Sequence, residues 1–199
     1  MAKQLGWLVM ALSALSVAAY ALAVLTLPQL RPPFDSGLLA RMPLAVILHF
    51  AGGAIAIATG ALQLNASLRQ RHLSLHRWLG RCYVVAVLAA GGGSLALATR
   101  SAGGIPTHIG FGMLGVLWIG CTLAAYFQVR AGRIAQHRAW MVRSYALTLA
   151  AVTLRIYIPL SQMAGLPFDP SYVAISWMCW VPNLLVAEWW VLGRGLSRA

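Results

Sequence analysis

Six apolar stretches, each about twenty residues long, decide what this chain can fold into. They are Gly6–Leu27, Pro43–Leu64, Trp78–Thr99, His108–Val129, Ala139–Leu160 and Tyr172–Leu192. A helix of about 20 residues, rising about 1.5 Å each, matches the ~30 Å hydrocarbon layer of a bilayer. That layer offers no water to an open peptide group, so each stretch must satisfy its own backbone as an α-helix. Composition agrees: 60% of the 199 residues are hydrophobic and 9% are charged, where a soluble domain carries about 25% charged residues. The chain reads as an all-α polytopic membrane protein of six transmembrane helices. Residues 1–199 form a single integral membrane domain with short connections. The first stretch begins with Lys3 and contains the small pair Ala18–Ala19, as a secretory signal does. Its apolar run of about 22 residues exceeds a signal core of roughly 7–15, so it reads as a retained helix.

The net charge of +12 suggests nucleic acid until the positions are considered. Arg69, Arg71, Arg77 and Arg81 accompany the second connection between central stretches, and Arg130, Arg133, Arg138 and Arg143 the fourth. Lys3, Arg194 and Arg198 lie at the ends. With six spans, all of these fall on one face. The other face holds Arg31, Arg41 and Arg100 with Asp35 and Asp169. An excess of Lys and Arg on one side marks the cytoplasmic face, so both termini are expected in the cytoplasm of a bacterial cell, the protein being multi-pass in its inner membrane. Topology accounts for the charge; the expected partner is the lipid bilayer and no nucleic acid. Cys82, Cys121 and Cys179 lie inside the stretches without CxxC spacing and read as small apolar fillers.

The second and third stretches resemble the fourth and fifth, as repeats over residues 43–99 and 108–160. His49 matches His108, each near the start of a glycine-rich run. His76-Arg77, followed by Arg81-Cys82-Tyr83, matches His137-Arg138, followed by Arg143-Ser144-Tyr145. Repeats in the same orientation are related by an axis along the membrane normal. That axis builds a central four-helix bundle from two helix pairs, with His49 opposite His108 and His76 opposite His137. Opposed imidazoles across a bundle are the ligand set of a six-coordinate b-type haem. His49 stands about 9 Å below one boundary, and His76 and His137 stand at the other, so the two pairs are separated by roughly 20 Å. His72 has no counterpart in the repeat and reads as an interfacial residue.

Glycines 52, 53, 60, 110, 112, 115 and 120 let helices approach or leave room for a flat ring. Two charges fall inside the stretches. Arg155, near the level of His49, needs a partner such as a haem propionate, backbone carbonyls, a polar loop or a substrate. Glu188, near Trp189 and Trp190, is placed to accept from the arginines at that end. Trp177, Trp180, Trp189 and Trp190 read mostly as interfacial anchors.

The run from His137-Arg138-Ala139-Trp140-Met141-Val142-Arg143-Ser144-Tyr145-Ala146-Leu147-Thr148 to Thr153-Leu154-Arg155 resembles a family of predicted bacterial membrane proteins of unknown function. The likeness covers roughly the second to fifth spans and implies no activity. The helix count, with one histidine in each of the four central helices, also resembles the six-helix transmembrane b cytochromes that pass electrons from ascorbate across a membrane. That resemblance implies an outer haem on His49 and His108 and an inner haem on His76 and His137. The inner histidines of that family lie deeper, and its substrate residues are not carried over.

The expected function is therefore transmembrane electron transfer by a di-haem b-type protein, a transmembrane oxidoreductase with two haem b groups held by His49, His76, His108, His137 and Arg155. Its electron donor and acceptor are left open. One alternative is copper or zinc at the same histidines. Another is a transporter or channel with a histidine-lined path, which unbroken central helices disfavour and Pro159 and Pro182 keep open. A third is a cofactor-free membrane partner or assembly protein.

Overall fold

The computed structural model describes residues 2–31 and 33–196, with backbone alone described for residues 2–3, 33–36 and 194–196. Of the charges that carried the topology argument, Lys3, Asp35 and Arg194 therefore have no described side chain, and Arg198 lies outside the described residues. The described residues contain helices and no strand. Six helical segments are long and apolar enough to cross a membrane: Gln4–Thr26, Pro43–Gln63, Leu73–Ala98, Ile105–Arg130, Ile134–Met163 and Phe168–Gly193. The protein is all-α and polytopic, as the hydropathy pattern demands. It divides into two compact units, Met1–Leu97 and Ala98–Ala199.

The first unit contains α1 (Ala2–Thr26), a short 3-10 turn (Pro28–Leu30), α2 (Pro33–Arg41), α3 (Pro43–Gln63), α4 (Ala66–Arg71) and α5 (Leu73–Ala98). One face of α1 is buried through Ala11, Ala14, Ala18 and Ala21 at helical spacing, while Leu5, Leu8, Leu12 and Leu15 point outward. The indole of Trp7 donates to the Ala61 carbonyl at 3.0 Å, tying α1 to α3. Pro28 cannot continue α1, and the Arg31 guanidinium donates to the carbonyls of Val24 and Leu25 at 2.7 and 2.6 Å. Those are orphan acceptors of the last helical turn. α3 and α5 meet through glycine. A Cβ on Gly52 would stand 2.9 Å from the Ala86 carbonyl oxygen, and one on Gly93 would stand 2.6 Å from that of Ala45. At α4, the Asn65 side chain accepts from the Leu68 amide at 3.0 Å, an N-cap.

The second unit contains α6 (Ile105–Arg130), α7 (Ile134–Thr148), α8 (Ala150–Met163), α9 (Phe168–Met178) and α10 (Val181–Leu196). Its entry turn uses Gly103 and Gly104 at φ +87° and +72°, a conformation that only glycine adopts without strain. α6 packs on α9 where a Cβ on Gly110 would stand 2.7 Å from the Ser176 hydroxyl. α6 and α7 are joined by hydroxyls: Trp118 Nε1 donates to Thr148 Oγ1 at 2.8 Å, and the Thr122 and Ser144 hydroxyls bond at 2.7 Å.

Two expectations are corrected. The third and fifth helices begin at Leu73 and Ile134, about a turn before the expected starts at Trp78 and Ala139. Arg77, Arg81, Arg138 and Arg143 depress the local hydropathy, yet arginine is a good helix former and keeps its head near water while its stem lies on apolar surface. His76 and His137 thus stand inside helices. The fifth and sixth spans are also not continuous. The fifth is interrupted at Leu149, where Val152 donates back to the Leu149 carbonyl in a tightened turn. The sixth is interrupted at Cys179 and Trp180. Pro182 explains the second break, because it lacks an N–H and its ring opposes the carbonyl of Met178. Near the first, the hydroxyls of Thr148 and Thr153 bond backward to the Ser144 and Leu149 carbonyls, a pattern that bends helices.

Candidate functional site

His49 lies in the seam between α3 and α5, half-buried, its Nδ1 3.2 Å from the Ala90 carbonyl oxygen. The ring stands edge-on to Phe50, with centroids 5.6 Å apart. Gly93 makes this seam possible, since a Cβ there would fall 2.9 Å from the His49 amide nitrogen. His137, in the first turn of α7, repeats the arrangement with α6: its Nδ1 is 2.9 Å from the Ala125 carbonyl oxygen. A carbonyl only accepts, so in the neutral ring the proton sits on Nδ1 and the lone pair on Nε2, the nitrogen farther from the backbone. Metal-binding histidines are commonly held this way, the outer hydrogen bond fixing the tautomer and raising ligand basicity.

His108 is held differently. Its Nε2 is 3.1 Å from the Ser101 carbonyl oxygen, which puts the lone pair on Nδ1, close to its own Cβ. Ligation through Nε2 requires this ring to leave Ser101. The turn itself is firm: Thr107 Oγ1, fully buried, donates to the Ala102 and Gly104 carbonyls at 2.6 and 2.8 Å. At His76 the backbone is fixed, its carbonyl accepting from the buried Gln63 amide at 3.0 Å.

Within each unit the two repeat histidines are far apart. His76 and Ala90, the partner of His49, are fourteen residues apart on α5, which is about 21 Å along the axis. His108 and Ala125, the partner of His137, are seventeen residues apart on α6, or about 25 Å. Neither unit gathers its two repeat histidines into one centre. Among the described residues, no three His, Cys, Asp or Glu side chains converge as ligands of a metal ion.

Arg155 is half-buried on α8 and donates through Nη1 to the Ala151 carbonyl at 2.9 Å, so backbone supplies one of the partners expected for it. Glu188 does accept from an arginine at its end of the chain: Arg143 Nε and Nη2 reach its two carboxylate oxygens at 2.5 and 2.7 Å. The guanidinium also stacks 4.7 Å from the Trp140 ring centroid.

A family model described as "Predicted membrane protein (DUF2306)" matches residues 46–191. The chain belongs to this DUF2306 family. No curated protein matches it, and no solved structure does. The DUF2306 region takes in all four repeat histidines, Arg155, the Arg143–Glu188 pair and both helix interruptions, and leaves out α1.

One polar cluster in this region escaped the sequence reading. Asn183 of α10 donates to the carbonyls of Ala146 and Cys179 at 3.3 and 3.1 Å and lies 3.2 Å from Thr153 Oγ1. Thr153 donates in turn to the Cys179 carbonyl. Asn183 and Thr153 therefore bridge the two helix interruptions and bond backbone groups beside them. The single signal in the sequence was Asn183 itself, an amide in an apolar run next to Pro182. The glycines divide by role: Gly52, Gly93 and Gly110 are contact points, whereas Gly53, Gly112 and Gly120 have no atom within 4 Å of a Cβ position.

Proposed function

We propose that this membrane protein is a b-type cytochrome that moves electrons between the two faces of the membrane, with His49, His76, His108 and His137 as the iron ligands of two haems. The observation that carries the reading is the anchoring of His49 and His137. Each is locked by a helix-to-helix Nδ1 hydrogen bond that fixes the orientation and tautomer of its ring. The spacing of about 20–25 Å between the histidines of each unit supports two separate levels rather than one site. Bound haem supplies the one-electron couple, and the chain supplies ligation and electrostatics. Ala90 and Ala125 hold the imidazoles in orientation, and Arg155 contributes a cation toward a haem carboxylate. His108 fits only after its ring turns from Ser101, which makes its site the more adjustable one. The charge asymmetry supports a bacterial inner-membrane location with cytoplasmic termini.

A second reading, a transporter, is favoured by the helix interruptions, because broken helices near mid-membrane commonly mark binding sites. Absorbance separates the two. Protein purified from haem-replete cells is expected to show paired reduced-minus-oxidised bands and two haems per chain. His49→Ala and His137→Ala are each expected to remove one. A colourless, folded protein overturns the cytochrome reading, and solute flux in liposomes then tests the transporter.

A further inference from the structure

A groove of about 430 Å³ lies in the first unit, between the start of α3 and the end of α5. Met42, Leu44, Leu48 and Ala96 line it, and Gly92 opens onto it with no atom within 4 Å of its Cβ position. Arg41, the last residue of α2, is the one charged side chain along its lining. It is exposed, and among the described residues no ion-pair partner faces it.

We propose that this groove binds one anionic phospholipid, with its phosphate on Arg41 and an acyl chain laid along Leu44, Leu48, Gly92 and Ala96. Charge and shape point to the same occupant. Arg41 lies two residues before the span that begins at Pro43, so its guanidinium belongs at headgroup level, where a phosphodiester offers two oxygens to its planar fork. Beyond it the lining is apolar, which suits a hydrocarbon chain. A quinone head presents two carbonyls, and this groove offers a polar side chain at one end only. The inference does not depend on haem.

The test is native mass spectrometry of the full chain in detergent, titrated with phosphatidylglycerol or phosphatidylcholine. One phosphatidylglycerol is expected to be retained in preference to phosphatidylcholine. Arg41→Gln is expected to weaken it about tenfold, the scale of one charge-assisted pair. Gly92→Leu places its side chain in open space and is expected to displace the lipid, whereas Gly53→Leu, equally unobstructed but outside the groove, is expected to leave binding intact. Equal retention of the two lipids overturns the proposal, as does an unaffected Arg41→Gln. Competition by millimolar inorganic phosphate without loss of acyl contacts would make it a free-anion site and overturn it, and so would a co-purified quinone displaced by Gly92→Leu. If Gly92→Leu fails to fold, lipid preference and Arg41→Gln still decide.

Discussion

Arg143 and Glu188 show how a charge is accommodated inside a span. A bidentate guanidinium–carboxylate pair satisfies both groups at once, and the Trp140 face covers the cation. Removing one partner leaves the other, partly buried, without its counter-charge, which is costlier than removing both. With its side chain 36% exposed, Glu188→Gln is expected to destabilise the protein by about 1 kcal/mol, and the Arg143→Ala/Glu188→Ala double variant by less than the sum of its single changes. Unfolding of the four forms in detergent checks this; additive losses would show that the pair is not coupled. The sequence made this pairing legible because Glu188 is a rare acid in an apolar helix and the available cations sit at the same end. The histidine tautomers were not legible. They depend on which carbonyl each ring meets, and the meeting of His49 with Ala90 is created by a glycine forty-four residues away in the chain, Gly93.

At the scale of the helix, apolar length determined where spans lie but not where they begin or bend. Windows of hydropathy end where arginines start, whereas the helix continues until its backbone runs out of partners. The break at Leu149 had no proline beside it; Pro159 lies ten residues further on, within α8. What stands beside the break is a set of side-chain hydroxyls and, from the next span, Asn183, whose amide takes the Ala146 carbonyl. In an apolar surrounding such groups hold the interrupted backbone because no water replaces them. Interhelical hydrogen bonds in membranes average about 0.6 kcal/mol and reach about 1.7. Asn183→Leu, which removes several together, is expected to cost about 1–2 kcal/mol in unfolding from mixed micelles. No loss would mean that the two interrupted helices are held by packing alone.

Over the whole chain, the arginines of the short connections underlie the proposed orientation. The α6–α7 connection is flanked by Arg130, Arg133 and Arg138, whereas the α5–α6 connection carries Arg100 alone. The short α4 carries Arg69 and Arg71 in its last turn, just before α5. Arg31, counted for the opposite side, is engaged in closing the end of α1. Short loops follow the Lys and Arg bias closely, since translocating them is what the bias opposes. A fluorescent protein fused after residue 132 should therefore light up in the cytoplasm, and alkaline phosphatase fused after residue 102 should be active outside it. The reverse pattern would invert the membrane orientation while leaving the six helices and their internal contacts untouched, and it would exchange the inner and outer assignments of the histidine levels. Charge neutralisation separates cause from correlation: replacing Arg130, Arg133 and Arg138 with Gln is expected to yield mixed orientation in the same fusions. An unchanged, single orientation would place the determinant outside the α6–α7 connection, in the cations of α4 or in Lys3.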